Sequence, residues 1–299
     1  MTSSIQFQTS SKKFVGIHNG RIITSSLDRK YVERKMRALG HSDSTSKLEP
    51  PKPSEFTINQ RFSFVEQMVN MVSKGTAASV IITGQGGLGK THTVLATLAA
   101  SGVVNVTDLA KFQEGQIMPK KSFTVIKGFS TAKGLYRSLF ENNGKTIVFD
   151  DCDSILKDPV AINLLKGALD SYSKRYIAWN ADIRDDDLPR SFEFTGQIIF
   201  ISNMSMERLD QALISRALCV DLSMTEEQKI ERMTVIAKNK DFLPEVSDNA
   251  KTDALAFLKT MVGTAPNLSL RSLISVAKIA AEGGAWKDLA KYVVTQGNA

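Results

Sequence analysis

Residues Gly84 to Thr91 read Gly-Gln-Gly-Gly-Leu-Gly-Lys-Thr and fill every fixed position of the pattern G-x-x-x-x-G-K-[ST]. Four glycines within six residues cost chain entropy, a cost that makes sense where the backbone must curl. Glycines let successive backbone N–H groups turn inward and cradle phosphate oxygens. The residues after Gly89 read as a helix, whose positive N-terminal end adds to the attraction for an anion. Lys90 is expected to reach the β- and γ-phosphates of a nucleotide, and Thr91 to ligate Mg2+. The candidate nucleotide-binding residues are Gly84, Gln85, Gly86, Gly87, Leu88, Gly89, Lys90, Thr91 and His92.

A phosphate-bound metal also needs an acid. Asp150 ends the apolar run in Thr-Ile-Val-Phe-Asp-Asp, at the carboxyl end of an expected strand, where open parallel sheets bind ligands. Asp150 is the candidate for the Mg2+ shell, through water. Asp151 is placed to orient or deprotonate an attacking water. Paired acids at a strand end also suit a helix N-terminal turn, and Asp153 fits that use better. The ligands these residues imply are a nucleotide and Mg2+.

The elements that must position them follow from the pattern. Short apolar runs at Ser79–Gly84, Ser122–Gly128, Lys145–Asp151, Gln197–Asn203 and Leu218–Leu222 read as strands. Between them lie helical patterns at Lys90–Ala100, Thr131–Asn143, Pro159–Tyr172 and Met206–Ala217. A further helix, with apolar residues at Phe62, Val65, Met68, Val69 and Val72, precedes the first strand. Alternating strands and helices imply an α/β fold, a parallel sheet with helices on both faces. After Leu222 the strands stop. Ser223 and Glu226 have capping-box spacing at the start of the next helix. Helical patterns at about Asp248–Val262, Ser269–Glu282 and Trp286–Thr295 complete a small all-α lid. The expected organisation is a basic N-terminal segment and linker over 1–56, an α/β nucleotide-binding domain over 57–222 and the lid over 223–299.

The N-terminal segment carries ten Lys/Arg against five Asp/Glu, most of the chain's formal charge of +7. It is open to a nucleic-acid partner, an acidic protein partner or a solubilising role. Phe-Val-Gly-Ile-His-Asn-Gly-Arg-Ile-Ile-Thr reads as a hairpin turning at Asn19-Gly20. Asp28 to Gly40 reads as a short helix, and the polar, proline-bearing stretch from His41 to Glu55 as a linker. The whole chain has 299 residues, 42% hydrophobic and 23% charged, the balance of a globular protein. No apolar run is long enough to span a bilayer, and the first residues lack the apolar core of a secretory signal. Two cysteines, Cys152 and Cys219, make no disulfide framework or zinc pattern, so a reducing cytoplasm is expected.

The glycine loop, Asp150-Asp151, the asparagine ending Ile-Ile-Phe-Ile-Ser-Asn, the Ile-Ser-Arg triplet and the later helices together resemble a AAA+ ATPase, similar to small phage-type members. The resemblance covers about residues 57–295. It implies that Asn203, at the sensor 1 position, holds the attacking water near the γ-phosphate. It implies that Arg216 is an arginine finger serving the neighbouring subunit of a homo-oligomeric ring or partial ring, with Arg208 and Arg190 as lesser candidates. It places Arg271 at the sensor 2 position of the lid. A turn asparagine and solvated arginines are the structural alternatives. The family usually has Asp-Glu where this chain has Asp150-Asp151, and the shorter acid reaches less far. Tyr176 to Gly196 resembles the pre-sensor hairpin of some AAA+ clades and of superfamily 3 viral helicases. Its tip carries Asp182, Asp185, Asp186 and Asp187 against Arg184 and Arg190, a charge that argues against phosphate contact there. Lys127, Phe129 and Lys133 occupy a position where such motors often carry a pore loop, although Phe129 also suits a core. The activity implied is ATP hydrolysis driving DNA transactions of a phage or mobile element, or else protein remodelling, or nucleotide-gated assembly.

Overall fold

The computed structural model describes residues 3–8, 13–18, 21–27, 31–32, 35, 54–107, 119, 121–128, 130–170, 172–180 and 188–296. The chain forms two compact units, Met1–Lys52 and Pro53–Ala299. In the first, β1 (Ser3–Gln8), β2 (Lys13–His18) and β3 (Arg21–Ser26) make an antiparallel meander. The expected hairpin is the β2–β3 pair. Its Asn19-Gly20 turn lies outside the described residues. Strand β1 was not read from the sequence; in register, Ile5 pairs with Gly16 and Phe7 with Phe14. Of the helix expected over 28–40, Tyr31, Val32 and Lys35 are described and helical; the rest, with linker residues 41–53, lies outside the described residues.

The second unit begins with helix α1 (Ile58–Ser73), started by a capping box between Thr57 and Gln60. Its stripe of Ile58, Phe62, Val65, Val69 and Val72 is buried. Then come β4 (Ser79–Thr83), α2 (Lys90–Ala100), β5 (Val104–Asn105), β6 (Ser122–Lys127), α3 (Ala132–Glu141), β7 (Thr146–Asp150) and α4 (Pro159–Ala168). The short pair β8 (Tyr176–Ala178) and β9 (Ser191–Glu193) follows, then β10 (Gln197–Ile201), α5 (Gln211–Ile214) and β11 (Leu218–Asp221). Six strands form one parallel sheet in the order β11-β4-β10-β7-β6-β5.

Strand alternation sends side chains to two cores. Val80, Ile82, Val148, Ile199 and Ile201 face α1 and α2. Ile81, Ile147, Phe149, Ile198 and Phe200 face α3, α4 and α5, with Phe149 and Phe200 stacked at 4.8 Å between ring centroids. The connection from β4 leaves toward the β5 edge, whereas the connection from β10 leaves past β4 to β11. Loops that part in opposite directions open a crevice at the carboxyl ends of β4 and β10.

The final helices are α6 (Glu226–Ala237), α7 (Asp248–Thr260), α8 (Leu270–Ala281) and α9 (Trp286–Thr295). They enclose their own core, including Met233, Leu258, Leu273, Val276 and Val294. Among the described residues, no helix is long and apolar enough to cross a membrane.

Three local expectations are corrected. The capping box of α6 uses Thr225 and Gln228, not Ser223 and Glu226. Asp221 Oδ1 accepts from both the Ser223 backbone N–H and its hydroxyl, at 3.0 and 2.7 Å, so Ser223 is not free to cap. The helix expected over 206–217 is broken into a 3-10 turn at Met206–Arg208 and the four-residue α5. Asp210 divides them by capping Ala212 N–H at 2.8 Å. Finally, Asp153 does not cap a helix: its carboxylate accepts from Ser202 Oγ at 2.6 Å, and Asp158 caps α4.

Candidate functional site

Strand β4 ends at Thr83 and delivers the glycine loop into the crevice. Gly84 has φ 134°, and a Cβ there would lie 2.8 Å from the Leu222 carbonyl carbon, so only glycine lets the loop pass the exit of β11. Gly89, at φ 89°, is the N-cap of α2 and offers no side-chain cap. Its neighbours α1, α3 and α4 all begin on a side-chain cap. The first-turn N–H groups of α2 are therefore left open to an anion. The loop is also held from the helical end, where Leu270 N–H donates to Gly87 O at 2.8 Å. Ser269 and Ser272 form a capping box that starts α8 at this point.

Register brings the other groups in. Ile201 on β10 pairs with Ile82 on one side and Asp150 on the other, and Asp150 pairs with Lys127 at the end of β6. The chain beyond β10, Ser202 and Asn203, thus sits between the glycine loop and the two acids. Lys90 is 5% exposed, and its ammonium donates to Gly84 O (2.7 Å), Gln85 O (2.8 Å) and Asn203 Oδ1 (2.9 Å). Asn203 Nδ2 in turn donates to Asp151 Oδ1 at 2.7 Å. Asp151 is held at φ 57°, a left-handed conformation costly for a side-chain-bearing residue, with its N–H on Ile201 O at 3.1 Å. Strain of this kind, about 1–3 kcal/mol, gathers at functional sites. Asp150 is 4% exposed and accepts from Thr91 Oγ1 at 2.8 Å.

Burial pushes the Lys90 ammonium down from its ordinary value to about 8. Asp151, Asp150 and Asp153 oppose that shift, and Arg271 adds to it.

Lys90, Thr91, Asp151 and Asn203 line a cleft of about 350 Å³ together with Gly87 and Arg271, and Asp150, outside the lining, reaches it through Thr91. A larger cavity of about 1110 Å³ shares Gly89, His92, Leu270 and Ile274 with it and extends between α2 and α6. The expected residues Gly86, Leu88, Lys90, Thr91, His92, Asn203, Asp151 and Arg271 therefore meet at one place. Arg216 does not line this cleft. It follows α5, where its Nη1 donates to Ala212 O at 2.9 Å and its Nε lies 4.0 Å from Asp170 Oδ2. Arg190 and Arg208 are exposed and also stand outside the lining.

The hairpin expected over 176–196 is present as β8 and β9. Phe192 packs on Tyr136 and Phe140, each at 5.3 Å between centroids, so its base belongs to the core. Its tip, with Asp182, Arg184, Asp185, Asp186 and Asp187, lies outside the described residues, as does Phe129. Lys127, which flanks the possible pore loop, places its Nζ 3.1 Å from Asp150 Oδ2. Sequence reasoning also missed Arg61, whose Nη1 donates to Asp221 O and Ser223 O, each at 2.9 Å. It ties α1 to the exit of β11. Its signal was an arginine three residues after Ile58, on a stripe otherwise apolar.

No family model matches the chain. The chain is similar to an uncharacterized 36.7 kDa protein from the nrdC–mobD intergenic region of Enterobacteria phage T4, 29% identical over 252 residues, 78% of this chain and 73% of that one.

Proposed function

We propose that this chain is an ATP-hydrolysing P-loop enzyme of the AAA+ type, assembled as a homo-oligomer and acting on DNA. The observation that carries the reading is the convergence of Lys90, Thr91, Asp150, Asp151, Asn203 and Arg271 on a glycine loop that starts an uncapped helix. The residues fit a nucleotide with Mg2+. The open N–H groups of α2 suit phosphate oxygens. Thr91 and Asp150 offer the hydroxyl and carboxylate that Mg2+ takes alongside phosphates. Among the described residues no cluster of three His, Cys, Asp or Glu side chains could hold a metal by itself, and Mg2+ is taken as bound together with the nucleotide.

Bound Mg2+ would neutralise charge on the β- and γ-phosphates. The chain's own groups do the rest. Lys90 exchanges its bonds to Gly84 O, Gln85 O and Asn203 for phosphate oxygens. Asn203, so released, orients a water. Asp151 takes that water's proton as its oxygen attacks the γ-phosphorus and the bond to the β-phosphate oxygen breaks, leaving ADP and phosphate. Arg271 approaches the phosphates from α8, coupling the helical end to the nucleotide. Arg216 stands away from its own cleft, which suits a role at the cleft of a neighbouring subunit. The larger cavity beyond His92 has room for the base and ribose.

The Lys90 ammonium gives a pH dependence with a definite sign. Its folded-state value near 8 lies below its ordinary 10.5, and a phosphate anion pulls it back up. Binding therefore takes up a proton above pH 8. ATP affinity is expected to fall as pH rises through 8 to 9.5, approaching tenfold per pH unit. Lys90→Arg should flatten the profile, and a flat wild-type profile would show that the Lys90 ammonium keeps its charge through this range.

The activity test is phosphate release from ATP with and without single- and double-stranded DNA. Stimulation by DNA that declines log-linearly with salt is expected from phosphate contacts of the basic segment. Turnover indifferent to DNA would move the target to a protein. Nucleotide-dependent assembly without turnover would make the chain an assembly switch.

A further inference from the structure

The carboxylate of Asp150 has both oxygens engaged. Thr91 Oγ1 donates to Oδ1 at 2.8 Å, and Lys127 Nζ lies 3.1 Å from Oδ2. The nucleotide reading uses the first partner and leaves the second unexplained. The two partners of the ion pair are unequal. Asp150 is 4% exposed and fixed at the end of β7, its backbone paired with β10 and β6. Lys127 ends the neighbouring strand in direct register with it, and its side chain is 65% exposed. The carboxylate is therefore the fixed member, and the ammonium reaches in from solvent on a flexible stem. Lys90, the other cation close by, already donates to Gly84 O, Gln85 O and Asn203. A buried carboxylate without a partner is costly, and here the Lys127 ammonium is what compensates it.

We propose that Lys127 is a built-in countercation on Asp150 that a divalent ion must displace, so that it sets the Mg2+ concentration at which the nucleotide site loads. The inference rests on the nucleotide reading above. An ammonium and a divalent ion cannot share one carboxylate edge without repulsion. Lys127 leaves at small cost because most of its stem is already hydrated. While the site is free of metal the acid stays neutralised.

The test uses the full chain and a fluorescent ATP analogue, titrated with Mg2+ at fixed nucleotide. Lys127→Met should lower the Mg2+ midpoint about 1.5- to fivefold, the range of a single ion pair with one exposed partner. Lys127→Arg should keep the wild-type midpoint. Affinity for the analogue in EDTA should not rise in Lys127→Met, which separates loss of competition from a general gain in binding. With the analogue present, a sub-saturating concentration of Mg2+ should raise the melting temperature of Lys127→Met more than that of wild type, because a ligand stabilises in proportion to its occupancy of the folded state. Lys127→Gln provides the same reading if the methionine variant folds poorly. A midpoint unchanged or raised in the neutral variants, with wild type binding the analogue, would overturn this inference alone. A wild-type chain that binds no analogue at any Mg2+ concentration would overturn the nucleotide reading instead.

Discussion

Replacing Lys90 by alanine is expected to weaken binding of Mg·ATP by about 30- to 150-fold, the loss of about 2–3 kcal/mol carried by charge-assisted bonds to phosphate. The fold should survive. Lys90 is 5% exposed, and burial already pulls its ammonium down to about 8, so removing it takes away a group that is costly to keep charged inside the protein. What it leaves behind is modest. Gly84 O and Gln85 O lose a donor beside an open cleft, where water can replace it. Asn203 loses its link to the glycine loop but keeps Asp151. Titration of a fluorescent ATP analogue, alongside circular dichroism of both proteins, checks the prediction. Affinity within about twofold of wild type would remove Lys90 from the site.

Replacing Arg216 by alanine should leave that affinity intact and cut turnover by about 1000-fold or more, the scale of an arginine that stabilises charge in phosphoryl transfer. Arg216 touches its own α5 and approaches Asp170, not its own cleft, so nucleotide binding within one chain has no call on it. A mixing experiment gives this its sharpest form. Lys90→Ala chains have an intact Arg216 and a defective cleft; Arg216→Ala chains have the reverse. Mixed together, they should recover part of the wild-type turnover, because some interfaces then pair a sound cleft with a sound arginine. No recovery in mixtures shown to co-assemble, or normal turnover by Arg216→Ala alone, would exclude the role.

The sheet was legible because its central strands are continuous apolar runs, buried on both faces and ended by glycine, acid or asparagine. That is why Gly84, Asp150 and Asn203 could be placed at strand ends from type and position alone. Strand β5 was not legible: Val104 and Asn105 are both exposed at the sheet edge and carry no periodic signal. The misplaced cap of α6 had a different cause. Ser223 and Thr225 both precede Glu or Gln by three residues, and the tie is broken by Asp221, which no spacing rule weighs. Asp210 likewise divided an apparently continuous helix by offering its side chain to Ala212 N–H.

The candidate site was partly legible for the same reason. Its members sit on strand ends and on the loop that follows the first of them. Their mutual contacts depend on strand order. Lys127 and Asp150 are neighbours because β6 lies beside β7, and Asn203 can bridge Lys90 and Asp151 because β10 lies between β4 and β7. Composition and periodicity carry little of that order. Nor did they foretell that Lys90 would turn back onto its own loop, a bond pattern set by the curl of the backbone through Gly84.

Phosphate release from ATP by the wild-type chain, followed against protein concentration with Mg2+ present, tests the central claim most directly. Turnover that saturates in ATP, with specific activity rising as chains assemble, is the expected result. No binding of ATP and no phosphate release at any concentration would contradict it.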